Sequence, residues 1–304
     1  MITVEISIGE FCVGVFFMPS LEVNGNSFFY DENGAGETII FCHGIPTDYR
    51  AWDSQTSEFS KKFRTISYSR RYAAPNKKEG NLADSTIGNN ASDLKGLIEK
   101  LGGAPVHLVG HSYGGFIAAY FAADHQDLVH SLVLVEPAIS TMLLEKVGSV
   151  SQMISLLLRS PSVALSARRF ITESLNPCLK ALDEGQFEKA VELNIDGLQE
   201  RKGAFASMPI KIKEMMMQNA RTLAEQRTVL PPFKSLASKI SCPTFVLNGE
   251  DGAIWLKRIG ELTAAAVQKG QLAKVPSSGH FPHMENPSKF NDLLKGFLSM
   301  HSQA

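Results

Sequence analysis

The chain has 304 residues, of which 44% are hydrophobic and 20% are charged, a composition typical of a globular protein and not of a disordered one. Its 30 basic and 31 acidic side chains give a net charge of −1, which excludes a nucleic-acid-binding protein that depends on a basic excess. The length fits either two domains of about 150 residues or one large α/β domain.

The cysteines and the amino-terminal segment bear on the location of the protein. Four cysteines are scattered without a Cys-x-x-Cys pair, which predicts free thiols in a reducing compartment. No apolar run approaches the roughly 20 residues that span a bilayer, so no stable membrane insertion is expected. Glu5 and Glu10 interrupt the apolar opening segment and no basic residue precedes it, unlike a signal peptide. We therefore expect a cytoplasmic protein.

The first half of the chain alternates short apolar runs with helical stretches. Strands are predicted over 37–42, 63–67, 106–109 and 132–136, with a helix over 116–125. Strands that alternate with helices form βαβ units, so a mainly parallel sheet is expected.

The residue composition changes at the start of the second half of the chain. From 137 to 233 the sequence is rich in Leu, Met, Ala, Lys and Glu at helical spacing. The pattern then returns to a strand over 243–248, a helix over 255–268, a strand over 272–275 and a helix over 287–300. The sequence thus predicts an α/β core, residues 1–136 and 236–304, interrupted by a helical cap over 137–235.

The motif most informative about chemistry is Gly110-His111-Ser112-Tyr113-Gly114, between the strand 106–109 and a helix. Gly-x-Ser-x-Gly in that context is a nucleophile elbow. The turn is so tight that residues two before and two after the serine have no room for a Cβ. The following helix directs its positive end at charge that develops beside the serine. A dinucleotide-binding loop is the alternative, with Glu136 at the next strand end as ribose ligand, but Ser112 occupies a position where that fingerprint requires glycine.

A second element, His43-Gly44-Ile45-Pro46, directly follows the strand 37–42. A nucleophilic serine requires hydrogen-bond donors for the oxyanion that forms on attack. We assign them to the backbone N–H groups of Ile45 and Tyr113. An ordinary Gly-Pro turn is the alternative interpretation.

The base is expected after the last strand, because the chain order of this architecture is Ser, acid, His. His280 fits, since it follows Gly279 on a loop beyond the strand 272–275. His283 is a weaker candidate. The pair could also belong to a metal site, but Pro282 argues against a helix that would bring both imidazoles to one face, and no third ligand is evident, so we predict no metal.

With the motifs at 43–46, 110–115 and 278–287 in this order, the chain resembles the α/β-hydrolase superfamily. It is especially similar to the small cytosolic esterase, haloperoxidase-like and meta-cleavage-product hydrolase branches, from about residue 20 to the end. The resemblance implies an eight-stranded, mostly parallel sheet flanked by helices, a helical cap after the sixth strand, a Ser-His-acid triad and no cofactor. Ser112, His280, Ile45 and Tyr113 fall on its nucleophile, base and oxyanion donors.

The acid departs from the family pattern. The family usually places it three residues after a Gly at the end of the seventh strand, where this chain has Gly252, and Asp251 stands one residue early. The family's other site is the end of the sixth strand, where Glu136 stands. We predict Glu136 as the acid, with Asp251 as the alternative; Glu136 could instead cap the turn before Pro137.

These residues predict a serine hydrolase that cleaves an ester-like bond of a small, largely apolar substrate. A serine at the elbow argues against dehalogenase and epoxide hydrolase chemistry, which would use an aspartate nucleophile. A C–C bond (meta-cleavage product) hydrolase or lactonase with the same triad remains an alternative, as does a non-catalytic ligand-binding relative. We expect a monomer or homodimer.

The substrate pocket is expected between sheet and cap. Aromatic and apolar side chains near the motifs and in the cap are its candidate lining, although plain packing is the more common role of each such side chain. They are His43, Tyr49, Trp52, Tyr72, Met153, Leu157, Phe170 and Phe281. Residues 1–17 are expected to be a leader outside the hydrolase fold, either an added strand or arm or a segment that precedes a physiological initiator at Met18.

Overall fold

The computed structural model describes residues 2–8, 11–17, 19–76, 80–146 and 149–302. Ten strands occur in these residues. They are β1 (Ile2–Ile8), β2 (Phe11–Phe17), β3 (Ser20–Val23), β4 (Asn26–Asn33), β5 (Thr38–Cys42), β6 (Arg64–Tyr68), β7 (Val106–His111), β8 (Val129–Val135), β9 (Thr244–Gly249) and β10 (Gly270–Val275).

The main sheet has eight strands in the order β10-β9-β8-β7-β5-β6-β4-β3. The six strands from β10 to β6 run parallel, and β4 and β3 are added antiparallel at one edge. This confirms the predicted eight-stranded, mostly parallel sheet. The antiparallel turn between β3 and β4 contains Asn24 and Gly25, both with positive φ, as a tight hairpin requires.

Strands β1 and β2 pair with each other in a separate two-stranded antiparallel sheet. The predicted leader 1–17 coincides with this hairpin, and Met18, the predicted initiator, lies outside the described residues. That the leader is dispensable for the fold stays a prediction.

Helices cover both faces of the main sheet. They are α1 (Asp53–Phe59), α2 (Ile87–Leu101), α3 (Ser112–Asp124), α4 (Val150–Arg159), α5 (Pro161–Arg169), α6 (Asn176–Asp183), α7 (Phe187–Leu198), α8 (Ile210–Gln218), α9 (Lys234–Ala237), α10 (Ile254–Ala266), α11 (Pro282–Glu285) and α12 (Pro287–His301). A π-helical turn over Phe170–Leu175 joins α5 to α6, and a 3₁₀ segment covers Ala220–Arg227. Between β8 and β9 the described residues form helices and loops only.

The core has two layers because successive strand residues point to opposite faces. In β5, Ile40 and Cys42 pack with α2 and α3, whereas Ile39 and Phe41 pack with α1 and α12. Every residue of β5 is buried, which explains its continuous apolar run. Because β5, β7, β8 and β10 are parallel, their carboxyl ends lie on the same side of the sheet, and the sequence motifs follow these ends.

Three cysteines, Cys42, Cys178 and Cys242, are buried and unpaired, which agrees with the free thiols predicted for this chain. Among the described residues, every helix is too short or too polar to cross a membrane.

Candidate active site

The turn from β7 to α3 brings Ser112 to the carboxyl edge of the sheet. The strand ends at His111 and the helix begins at the next residue, so Ser112 is forced to a φ of 51°. A Cβ on Gly110 would lie 2.5 Å from the carbonyl oxygen of Gly114, and one on Gly114 would lie 2.4 Å from that of Cys42. The backbone therefore passes too close for any other residue, which confirms the reason given for both glycines.

His280 lies beside the serine, on the loop that follows β10. Its Nε2 is 3.0 Å from Ser112 Oγ, and its Nδ1 is 3.4 Å from Glu136 Oε2. His280 and Glu136 are fully buried, and Ser112 exposes only 6% of its surface. The structure thus aligns hydroxyl, imidazole and carboxylate in one chain of contacts shielded from water.

The backbone of His280 is held from two sides. Its N–H donates to Gln199 Oε1 at 3.1 Å, and its carbonyl oxygen accepts from His111 Nε2 at 2.8 Å. A Cβ on Gly279 would lie 1.8 Å from Gln199 Oε1, so the adjacent glycine is required for this approach. The sequence analysis missed the roles of Gln199 and His111. These residues are separated from His280 by 81 and 169 positions along the chain, and no local pattern links residues so far apart.

Glu136 directly follows β8, with a φ of 45° that turns its side chain towards His280. Its Oε1 accepts the backbone N–H of Gly249 at 2.7 Å. A Cβ on Gly252 would lie 3.1 Å from Oε1, so the carboxylate of Glu136 fills the space that a side chain at position 252 would enter. Asp251, by contrast, has an exposed side chain.

Burial sets the protonation of this trio. It lowers the pKa of His280 to about 3, so the imidazole is neutral at neutral pH and Nε2 can accept a proton. Burial also raises the pKa of Glu136 to about 8, against the Gly249 N–H and the charge of Lys257, which lower it. Because bulk water solvates neither side chain, a Glu136 carboxylate and a His280 imidazolium are stable only in contact with each other.

The loop after β5 packs directly against the serine. A Cβ on Gly44 would lie 3.0 Å from Ser112 Cβ and 2.7 Å from His111 Nδ1. Within the part of the chain that the structure describes, the Ile45 N–H has no hydrogen-bond partner. The Tyr113 N–H belongs to the first turn of α3, where no intrahelical acceptor is available. Neither N–H group therefore has a backbone acceptor among the described residues.

His283 does not reach the serine. Its fully buried ring stacks on Trp52 with centroids 4.3 Å apart, and burial lowers its pKa well below the ordinary value. Neither ring nitrogen has a partner among the described residues. Those residues also contain no cluster of three or more His, Cys, Asp or Glu side chains suited to a metal.

Several predicted pocket residues near the motifs are engaged in packing. Both ring nitrogens of His43 are bonded, Nε2 to the Arg70 N–H at 2.9 Å and Nδ1 to the Gly44 carbonyl at 2.8 Å. Trp52 is fully buried between Phe41 and His283. In this conformation these rings present no surface to a ligand.

The other pocket candidates differ in exposure. Phe281 is fully buried beside the rings of His111 and His280, and Phe170 packs on Trp255 with centroids 4.9 Å apart. Three candidates are half-buried: Tyr49, Tyr72 and Met153. The fourth, Leu157 on α4, is exposed. Substrate contact by any of them stays a prediction.

Comparison with known proteins places this site in context. A family model described as the alpha/beta hydrolase fold matches residues 37–287. Epoxide hydrolase 3 of Xenopus tropicalis is 26% identical over 288 residues, which are 90% of this chain and 75% of the relative. An sn-1-specific diacylglycerol lipase of Mus musculus is 27% identical over 219 residues, 71% of this chain and 66% of the relative.

Among solved structures, a thermophilic esterase from Thermogutta terrifontis superimposes with a TM-score of 0.66 at 22% identity, over 94% of this chain and 98% of the esterase. That likeness shows a shared fold. The three similar proteins are named for three different activities, so the chemistry of this chain must be argued from its own site residues.

Proposed function

The chain belongs to the α/β-hydrolase family, and we propose that within it this protein is a serine hydrolase that cleaves an ester-like bond of a small, largely apolar substrate. The observation that carries the proposal is the contact chain from Ser112 Oγ to His280 Nε2, 3.0 Å, and from His280 Nδ1 to Glu136 Oε2, 3.4 Å. A nucleophile, a base within hydrogen-bond reach and a group that orients the base are the elements of covalent hydrolysis.

In the proposed first half-reaction, the Ser112 hydroxyl transfers its proton to His280 Nε2 while Oγ attacks the substrate carbonyl carbon. The carbonyl oxygen becomes an oxyanion, held by the N–H groups of Ile45 and Tyr113. Glu136 stabilises the imidazolium. The tetrahedral intermediate then expels the alcohol, which takes the proton from Nε2, and an acyl-serine remains.

In the second half-reaction, a water molecule loses a proton to His280 Nε2 and attacks the acyl carbon. The tetrahedral intermediate collapses, the serine oxygen recovers the proton, and the carboxylic acid leaves. Every proton transfer uses a side chain of this chain.

The elbow serine favours acyl substrates over epoxides, although a relative is named an epoxide hydrolase. A serine oxygen that opened an epoxide would form an ether, which water does not cleave under mild conditions. Attack on an ester or lactone gives an acyl-serine, which water does cleave. Ser112 therefore supports hydrolysis of acyl groups.

The proposal includes the setting of the reaction. We propose that residues 137–235 form a cap over the core, supported by the helices that fill the described part of this range. A cytoplasmic location is supported by the buried, unpaired thiols of Cys42, Cys178 and Cys242, which suit a reducing compartment.

The test is labelling of the purified protein with a fluorophosphonate, followed by mass spectrometry of the modified peptide. We expect one adduct on Ser112 and none in Ser112→Ala. Ser131→Ala is the matched control, because Ser131 also contacts a buried histidine and should leave labelling intact. A wild-type protein that takes up no probe would overturn the proposal. A panel of esters and lactones of graded size, with a vinylogous diketone for C–C hydrolysis, then identifies the substrate class.

A further inference from the structure

A fully buried guanidinium, that of Arg70, contacts both the loop that carries Ile45 and the first turn of α3, which carries Tyr113. Its Nε donates to the His43 carbonyl oxygen at 2.9 Å and its Nη2 to the Gly44 carbonyl oxygen at 3.4 Å. The guanidinium carbon also lies 5.0 Å from the centre of the Tyr113 ring. One side chain thus touches the two residues that precede Ile45 and also Tyr113 itself.

The Gly44 carbonyl oxygen has further donors around it. His43 Nδ1 donates at 2.8 Å and Thr47 Oγ1 at 3.1 Å. The tautomer of His43 is determined by Arg70, whose backbone N–H donates to Nε2 and so leaves the proton on Nδ1. The backbone and the side chain of Arg70 therefore act on the same loop.

The direction of this carbonyl determines the direction of the next N–H. The Gly44–Ile45 peptide is trans, and in a trans peptide the C=O and N–H bonds point opposite ways. Donors that hold the Gly44 oxygen on one side hold the Ile45 N–H on the other. Since Gly44 packs directly against Ser112, we infer that Arg70 is a positioning residue that presets the Ile45 N–H for the oxyanion. The inference rests on the proposed function.

The charge of Arg70 is balanced by a residue distant in sequence. Arg70 Nη1 lies 2.9 Å from Glu225 Oε2, and both side chains are fully buried. Ser85 Oγ donates to the other carboxylate oxygen of Glu225 at 2.9 Å. Taking two charges out of water offsets their attraction, so such a pair adds little net stability compared with apolar residues. Its presence beside the loop that carries Ile45 is therefore better explained by the geometry that it imposes than by stability.

The experiment compares the double variant Arg70→Met/Glu225→Gln, which leaves no unpaired buried charge, with the wild type on one activated ester. Loss of an oxyanion donor lowers kcat by about 10²-fold with little change in KM, because the donor acts on the transition state. Affinity for a trifluoromethyl ketone should fall in parallel, since its serine adduct carries an oxyanion. A merely structural role would not link these two quantities.

The matched control is Arg71→Gln/Asp93→Asn, which removes the ion pair of the neighbouring arginine and should leave kcat and ketone affinity unchanged. If the first double variant does not fold, Arg70→Lys tests the same point, because it keeps the positive charge but lacks the planar fork. A folded variant with unchanged kcat, or with reduced kcat and unchanged ketone affinity, overturns the inference. Wild-type turnover separates this failure from failure of the proposed function: an inert wild type overturns both.

Discussion

A serine, a histidine and a glutamate lie in contact at the amino ends of the sheet strands and again at their carboxyl ends. At the amino edge, Ser131 Oγ lies 2.8 Å from His107 Nδ1, and His107 Nε2 lies 3.5 Å from Glu37 Oε2. At the carboxyl edge, the loops that follow the strands bring together Ser112, His280 and Glu136 at 3.0 and 3.4 Å. The distances are similar, yet only the second arrangement has the features of a nucleophilic site.

The difference lies in the backbone. Ser131 is an ordinary strand residue in register with His107, so the strand ladders use the neighbouring N–H and C=O groups. Ser112 has a positive φ at the start of a helix, and the Tyr113 N–H that follows it has no intrahelical acceptor. Glu37 keeps 32% of its side chain exposed, whereas Glu136 is fully buried. Contact among a serine, a histidine and a glutamate is therefore not enough to make a nucleophilic site. The backbone strain at the serine and the burial of the glutamate distinguish the second arrangement.

The largest expected effect is that of Ser112→Ala. Removal of the hydroxyl should lower ester turnover by about 10⁴-fold or more while the protein stays folded, because no other group can form the acyl intermediate. Steady-state assays of kcat and circular dichroism check both points. Ser131→Ala should keep turnover within about threefold, because surface and framework changes away from the site rarely alter chemistry. If Ser112→Ala and Ser131→Ala lost turnover to a similar extent, the proposal that only the carboxyl-edge serine is a nucleophile would be wrong.

Glu136→Gln should have the next largest effect, a roughly 10²- to 10⁴-fold loss of turnover, because the imidazolium loses its charged partner. Asp251→Asn and Glu37→Gln should change turnover by less than about threefold. The three variants are assayed on the same activated ester. A large loss in Asp251→Asn with a mild one in Glu136→Gln would assign the acid to Asp251 instead.

The space beside Gly252 allows a sharper test of the acid. Because a Cβ there would lie 3.1 Å from Glu136 Oε1, a carboxylate introduced at this position can replace that of Glu136 once Glu136 is shortened. Glu136→Ala/Gly252→Asp should recover about tenfold of the turnover lost in Glu136→Ala, since coupled neighbours are non-additive. Gly252→Asp alone should be inactive or poorly folded, because two carboxylates would meet. Equal activity of the double and Glu136→Ala variants would contradict the assignment.

Much of this fold and site follows from sequence because its signals are local. Alternating strands and helices predicted the parallel sheet, and the spacing of Gly110, Ser112 and Gly114 predicted the elbow that the structure contains. The contacts of Arg70 with Glu225 and of His280 with Gln199 join residues 155 and 81 positions apart. They depend on how the helices between β8 and β9 pack, which no local pattern encodes. The amino-edge arrangement was likewise invisible, because it depends on strand register.

The pH profile is expected to report the carboxyl-edge residues and not the amino-edge histidine. Burial lowers the pKa of His280 to about 3, so its neutral, proton-accepting form is present throughout the neutral range, which replaces the limb near pH 6 to 7 that an ordinary histidine predicts. Burial raises the pKa of Glu136 to about 8, so kcat/KM should fall as pH drops through about 8, where this carboxylate gains a proton and no longer stabilises the imidazolium. The limb should be absent in Glu136→Gln, and His107→Asn should leave the wild-type profile unchanged. A limb that persists in Glu136→Gln, or one displaced in His107→Asn, would contradict the expectation.

The smallest expected effect concerns the stability contributed by the amino edge. Ser131→Ala removes one buried hydrogen bond and leaves His107 Nδ1 without its partner, which should lower the free energy of unfolding by about 1 kcal/mol. For a chain of this size that corresponds to a fall in Tm of about 2 °C, measured by calorimetry at pH 7.5. Burial lowers the pKa of His107, so the unfolded chain binds a proton more readily than the folded one and stability falls as pH drops below about 6.5. We therefore expect Ser131→Ala to lower stability and to leave turnover unchanged. A Tm equal to that of the wild type would mean that the amino-edge hydrogen bond adds no stability, and a loss of turnover without a change in Tm would mean that this edge takes part in the chemistry.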